Sequence, residues 1–176
     1  MSDAAIAALA ERQLGVITRA QARDAGITDR QIRHRVEARR WVPAAPTVYR
    51  IAGTPKTWEQ RALAEVLAAG PLARLSHRAG AALWVVPGFK PNRIEITKPH
   101  GANRRVGRIE IHGSLWLPER HVTMRGPIPV VTPARMLCDI AGQVHPKKLA
   151  RAVDNCLSLN IVKIDALIRT FEEWAR

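Results

Sequence analysis

Aromatic residues make up only 5% of this chain, cysteine occurs twice in 176 residues, and acidic side chains are scarce. Cys138 and Cys156 lie in apolar, helix-patterned stretches without a second Cys or a His at metal-ligand spacing. That argues against a disulfide framework and a zinc site, and for reduced thiols in a cytoplasm. No apolar run approaches the ~20 residues of a membrane span. The first residues show no basic segment leading into an apolar one, so a signal peptide is not expected. Asp plus Glu number 15 against 28 Lys plus Arg, a net charge of +13. A surface this positive suits a polyanion, and nucleic acid is the commonest one. Hydrophobic residues reach 47%, which is incompatible with a disordered polycation.

Local patterning then divides the chain. Ile6, Leu9, Ala10 and Leu14 form a helical stripe ended by Gly15. Thr18 with Gln21, and Thr28 with Gln31, each have the Thr-x-x-Gln spacing of a capping box. Between them Gly26 suits the left-handed position after a helix. Two short helices joined by a tight Gly-containing turn form a helix-turn-helix. Trp41 to Pro43 and Thr47 to Ile51 read as two short strands around an Ala-Ala-Pro turn. Helix, helix, helix, hairpin is the order of a winged helix-turn-helix, assigned to residues 1–53, with Gly53-Thr54-Pro55 as the break.

Residues 57–176 read as a second, α+β domain of helices and a small antiparallel sheet. Thr57 with Gln60, and Ser76, are expected to cap helices, and Thr132-Pro133 opens another. Ile94 and Ile96, then Ile109 and Ile111, alternate with Arg93, Glu95, Thr97, Glu110 and His112, the period of half-buried strands. A basic loop over 98–108 lies between them. Helices follow, with Met136, Leu137, Ile140, Leu149, Val153, Leu157, Ile164, Leu167, Ile168 and Phe171 as their apolar faces. Residues 54–130 hold 12 basic and 5 acidic side chains, against 9 and 5 in residues 1–53. The positive potential therefore covers both the DNA-binding unit and the middle strands.

The third helix carries the sharpest functional signal. Ile32 and Val36 face the core, so Arg30, Arg33, His34 and Glu37 face outward, with Gln31 and Arg35 flanking. The second helix of a helix-turn-helix lies in the major groove and reads bases with its N-terminal residues. Thr28, Arg30, Gln31 and His34 are the candidates for base edges, since Arg on guanine and Gln on adenine are the bidentate geometries that discriminate. Arg33, Arg35, Arg39, Arg40 and Arg50 are better placed for phosphates. In the basic loop, Arg104, Arg105 and Arg108 either reach a phosphate backbone or an acidic partner, or serve as charges that keep a sheet edge from pairing.

Catalytic patterns are absent. The six histidines, at 34, 77, 100, 112, 121 and 145, show no His-x-x-x-His spacing, and Ser76 and Ser158 lack nucleophile-elbow glycines. Glu95-Ile-Thr-Lys98 ends a strand with a carboxylate and a lysine, but the preceding acid of a nuclease metal site is missing, so a strand-end ion pair is expected. There is no glycine-rich phosphate loop. No enzyme, no metal and no cofactor are expected.

The segment Gly15 to Gly26, then Ile27 to Trp41 and Val48-Tyr49-Arg50, resembles the N-terminal winged helix of AbiEi-type antitoxins. Leu75 to Leu83 and Val131 to Ala141 look like its continuation, so the likeness spans nearly the whole chain. The resemblance implies a type IV antitoxin that binds inverted repeats in its own promoter, represses transcription, and counteracts a nucleotidyltransferase-type toxin through its C-terminal domain. The DNA role then falls on Arg30, Gln31, Arg33, His34 and Arg35. Double-stranded operator DNA and the toxin are the implied partners, with a monomer that pairs on the DNA repeats. Many relatives continue into a nuclease-like domain that these residues do not contain, and Pro46-Thr47 stands where relatives often have Gly. A stand-alone winged-helix regulator, and the non-catalytic N-terminal part of a nuclease-fused relative, remain the alternatives.

Overall fold

The computed structural model describes residues 2–99, 104–106 and 109–175. It has two compact units: residues 1–71 with 126–128, and residues 72–125 with 129–176.

In the first unit the Thr-x-x-Gln spacings do what their chemistry requires. Helix α1 (Ser2–Arg12) leads through Gly15 into strand β1 (Val16–Thr18). Helices α2 (Arg19–Asp24) and α3 (Asp29–Glu37) are each opened by a complete capping box, Thr18/Gln21 and Thr28/Gln31. Strands β2 (Trp41–Ala45) and β3 (Val48–Ile51) form the wing, and β1 adds to it antiparallel, giving the sheet order β1-β3-β2. Ile6, Ile17, Ala22, Ile27, Ile32 and Trp41 make the core beneath them. Strand β1 was not expected from the sequence. Three residues are too few to show a period, and their partners lie 30 to 34 residues away.

Helix α4 (Trp58–Ala69) belongs to this unit, although the composition break at Gly53-Thr54-Pro55 suggested that it opens the next. It buries Ala62, Leu63, Ala64 and Val66 against the three-stranded sheet. Gln60, itself 4% exposed, donates its amide to the Leu14 carbonyl (2.6 Å) and to Thr54 Oγ1 (3.1 Å).

The second unit keeps the α+β class, but its sheet is six-stranded and mixed rather than small and antiparallel. The order is β6-β7-β5-β4-β9-β8 for β4 (Arg74–Leu75), β5 (Ile94–Pro99), β6 (Arg104–Val106), β7 (Ile109–Ser114), β8 (Val122–Arg125) and β9 (Ile128–Val131). Strand β6 supplies the antiparallel return to β7, so β7 runs parallel to β5, with Glu95 beside Glu110 and Thr97 beside His112. β5 is buried on both faces from Ile94 to Thr97, not half-buried as its alternation implied. Parallel strands flanked on both sides by other strands are normally covered on both faces.

Helix α5 (His77–Leu83) follows Ser76, whose side chain makes no cap bond. Its hydroxyl instead bonds His77 Nδ1 (2.9 Å) and accepts from Thr97 Oγ1 (2.8 Å). Helices α6 (Pro133–Ala141), α7 (Pro146–Ser158) and α8 (Ile164–Trp174) complete the unit around Met136, Leu137, Ile140, Ala152 and Cys156. Thr132 caps α6 with Pro133 in its first turn. Both cysteines are buried and unpaired, and burial pushes their thiols up to about 11. Of the expected apolar positions on α8, Ile164, Ile168 and Phe171 are about half exposed.

Candidate nucleic-acid interface

Helix α3 takes its outward face from its own periodicity. Ile32 is buried and Val36 half-buried, which leaves Arg30, Arg33, His34 and Glu37 exposed. Among the described residues the Arg30 and His34 side chains make no hydrogen bond or ion pair, and the Arg33 side chain only feels the charge of Asp29. These long side chains are held at one end by a rigid helix and free at the other.

The remaining residues singled out on the helix are engaged internally. Gln31 Oε1 accepts the Thr28 backbone N–H (2.9 Å), and Thr28 Oγ1 accepts the Gln31 N–H (3.3 Å). Bidentate reading of adenine needs both ends of the amide, so Gln31 reads a base only by giving up its cap. Arg35 donates to the Asp3 carboxylate (2.6 Å) and to the Gln31 carbonyl (3.2 Å), and lies 5.4 Å over the Trp41 ring. It ties α1 to α3. Arg50 Nη1 donates to the Ile51 and Thr54 carbonyls (3.3 Å each), at the base of the wing. Arg39 takes the left-handed conformation (φ 53°) that ends α3, and Arg40 follows it; both are exposed.

Two arginines of α2 border the same face and were not singled out from sequence. Arg19 makes a two-pronged bridge to Asp29 (Nε to Oδ1 3.0 Å, Nη2 to Oδ2 2.8 Å), and Arg23 Nε lies 3.9 Å from the same carboxylate. The Arg19 hydrogen bond holds the Asp29 carboxyl below its usual range. Asp29 also sits in the first turn of α3, where the helix dipole favours an anion. The signal was present in the sequence: Arg19 and Arg23 are four apart on one face of α2. The basic rim around the α3 N-terminus is therefore Arg19, Arg23, Arg30 and Arg33.

The wing turns through Pro46-Thr47, with Thr47 at φ 59° and its carbonyl accepting the Arg19 N–H (2.7 Å). Its tip carries no basic side chain. Arg104 and Arg105 lie on β6, which is the edge strand of the six-stranded sheet. Arg108 lies outside the described residues. No helix among the described residues is long and apolar enough to cross a membrane.

Residues 4–52 match the model of a family described as "Transcriptional regulator, AbiEi antitoxin". No curated protein matches the sequence. Among solved structures, the RV2827C protein of Mycobacterium tuberculosis is similar, with a TM-score of 0.56 at 14% identity, over 93% of this chain and 68% of that one. At that identity the likeness is one of fold.

Proposed function

We propose that this protein is a DNA-binding antitoxin that represses its own promoter, with α3 as the helix that enters the major groove. The observation that carries the reading is the free outward face of α3, Arg30, Arg33 and His34, on the segment that matches the AbiEi regulators. Arg30 and His34 reach base edges near the helix N-terminus. Arg33, Arg39, Arg40, Arg19 and Arg23 neutralise phosphates and set register. Thr28, Gln31, Arg35 and Arg50 hold the reading helix and wing in shape. The protein acts in the cytoplasm, without catalysis of its own, and pairs on inverted repeats. Residues beyond the winged helix counteract a nucleotidyltransferase-type toxin.

The test is a mobility-shift titration of the upstream DNA at several salt concentrations, with wild type and Arg30→Ala/Arg33→Ala. The double variant is expected to bind more weakly, with the slope of log affinity against log salt reduced by about one unit, since Arg33 is the phosphate contact removed and each such contact contributes ~0.9. Unchanged affinity and slope would remove α3 from the interface. Co-expression with the product of the adjacent gene, scoring growth, tests the antitoxin half.

A further inference from the structure

The sequence offered Glu95 as half of a metal pair whose second acid was missing from its own strand. The fold supplies that acid from the neighbouring one. Because β5 and β7 are parallel and in register, Glu95 and Thr97 stand beside Glu110 and His112 on one face of the sheet. Three of these four positions end in metal-ligating atoms, and one donor from each of Glu95, Glu110 and His112 lies within 4.8 Å of the others.

We propose that Glu95, Glu110 and His112 bind a first-row divalent cation, of which Zn²⁺ and Mn²⁺ are the best matched. Two carboxylate oxygens and an imidazole nitrogen form a mixed donor set that suits these ions better than Ca²⁺ or a soft monovalent ion. Glu95 is 2% exposed, and its Oε2 is fixed by the Ala79 backbone N–H (3.1 Å). That bond leaves Oε1 turned to His112 Nε2 at 4.0 Å. Ligand atoms on a tetrahedral ion stand roughly 3.4 Å apart, so donor separations of 4.0 to 4.8 Å close onto a metal by shortening about 0.6 to 1.4 Å, within the reach of side-chain rotation.

The surroundings fit this use. Two carboxylates side by side on a largely buried face repel each other, and a shared divalent cation offsets that repulsion. Arg93 Nη1 lies 3.7 Å from Glu110 Oε2, at the half-exposed end of the cluster. The His112 ring is steadied by stacking on His77 at 3.7 Å between centroids, and His77 is itself fixed through Ser76 and Thr97. Orientation of a ligating ring by neighbouring groups is characteristic of built metal sites. His77, Thr97 and His112 also line a cavity of about 870 Å³, which gives an ion and its remaining water ligands a way in.

The full chain, stripped with EDTA and dialysed, is titrated with ZnCl2 and separately with MnCl2 by calorimetry, and stoichiometry is read by native mass spectrometry. One ion per chain is expected, with a rise in thermal midpoint. Glu95→Gln, which keeps the acceptor for Ala79, and His112→Gln are each expected to weaken binding about tenfold or more. His145→Gln, at an exposed helix start, should leave it unchanged. Glu110→Gln replaces either variant that fails to fold by circular dichroism. Absence of binding by both ions at millimolar concentration, binding indifferent to the Glu95 and His112 substitutions, or binding lost in His145→Gln would each overturn the site.

Discussion

Asp139→Asn is the substitution whose consequence is most sharply set by this structure. The Asp139 side chain is 4% exposed; Oδ1 accepts Arg135 Nε at 2.7 Å, while Oδ2 has no hydrogen-bond partner. The other Arg135 nitrogens donate to the Trp116 carbonyl (2.9 Å) and Ser114 Oγ (3.3 Å), so Nε makes the one bond to this carboxylate. Burial therefore outweighs the single charged bond, and the carboxyl is pushed up from 3.8 to about 6. A folded-state value above the unfolded one means that the native state binds the proton more tightly. This stabilisation is complete below about pH 4 and is lost as the pH rises through about 6. Two pKa units correspond to on the order of 3 kcal/mol. Asparagine does not titrate, and both proteins share every other ionisable group. The stability of wild type minus that of Asp139→Asn should therefore fall by on the order of 3 kcal/mol between about pH 4 and pH 7. Removing the anion beside a buried arginine adds a constant destabilisation that leaves this slope intact. Urea denaturation followed by tryptophan fluorescence measures both proteins across the range. A flat difference, or one that grows with pH, would show that Arg135 dominates burial and refute the reasoning.

Three further outcomes follow from local geometry. Thr28→Ala should lower stability by about 1 kcal/mol through loss of the α3 cap, and Thr28→Ser should restore it, both read by denaturant midpoint. Gly15→Ala should destabilise by more than about 1 kcal/mol, because Gly15 sits at φ 80° and a Cβ there would meet Thr54 Cγ2 at 2.5 Å; thermal unfolding reports it. Cys138 and Cys156 should resist iodoacetamide at neutral pH in the native protein and alkylate once denatured, as mass spectrometry would show.

What the sequence disclosed was local. Thr18 with Gln21 and Thr28 with Gln31 act within four residues, so the two helices and their outward faces could be read directly. Arg30, Arg33 and His34 stand where the periodicity put them. Long-range pairings were not legible. β1 is defined by its partner β3, and the parallel run of β7 beside β5 depends on the intervening β6. The latter pairing converted an apparently isolated Glu95 into one of a cluster. Arg35 and Arg50 were read as surface charges because nothing in their own segments announces Asp3, Trp41 or the Thr54 carbonyl as partners.

The Gln60 side chain bears on how the N-terminal half can be handled as a separate piece. A chain cut at residue 53 removes the amide that caps the Leu14 carbonyl and strips the cover that Leu63 and Val66 lend the wing sheet. Such a fragment would carry every candidate base-reading residue yet expose the back of its own sheet, inviting aggregation or clipping by proteases. A fragment ending at Pro71 keeps that cover. Partial digestion that leaves a stable piece near 71 rather than 53 would mark α4 as part of the N-terminal unit's own architecture.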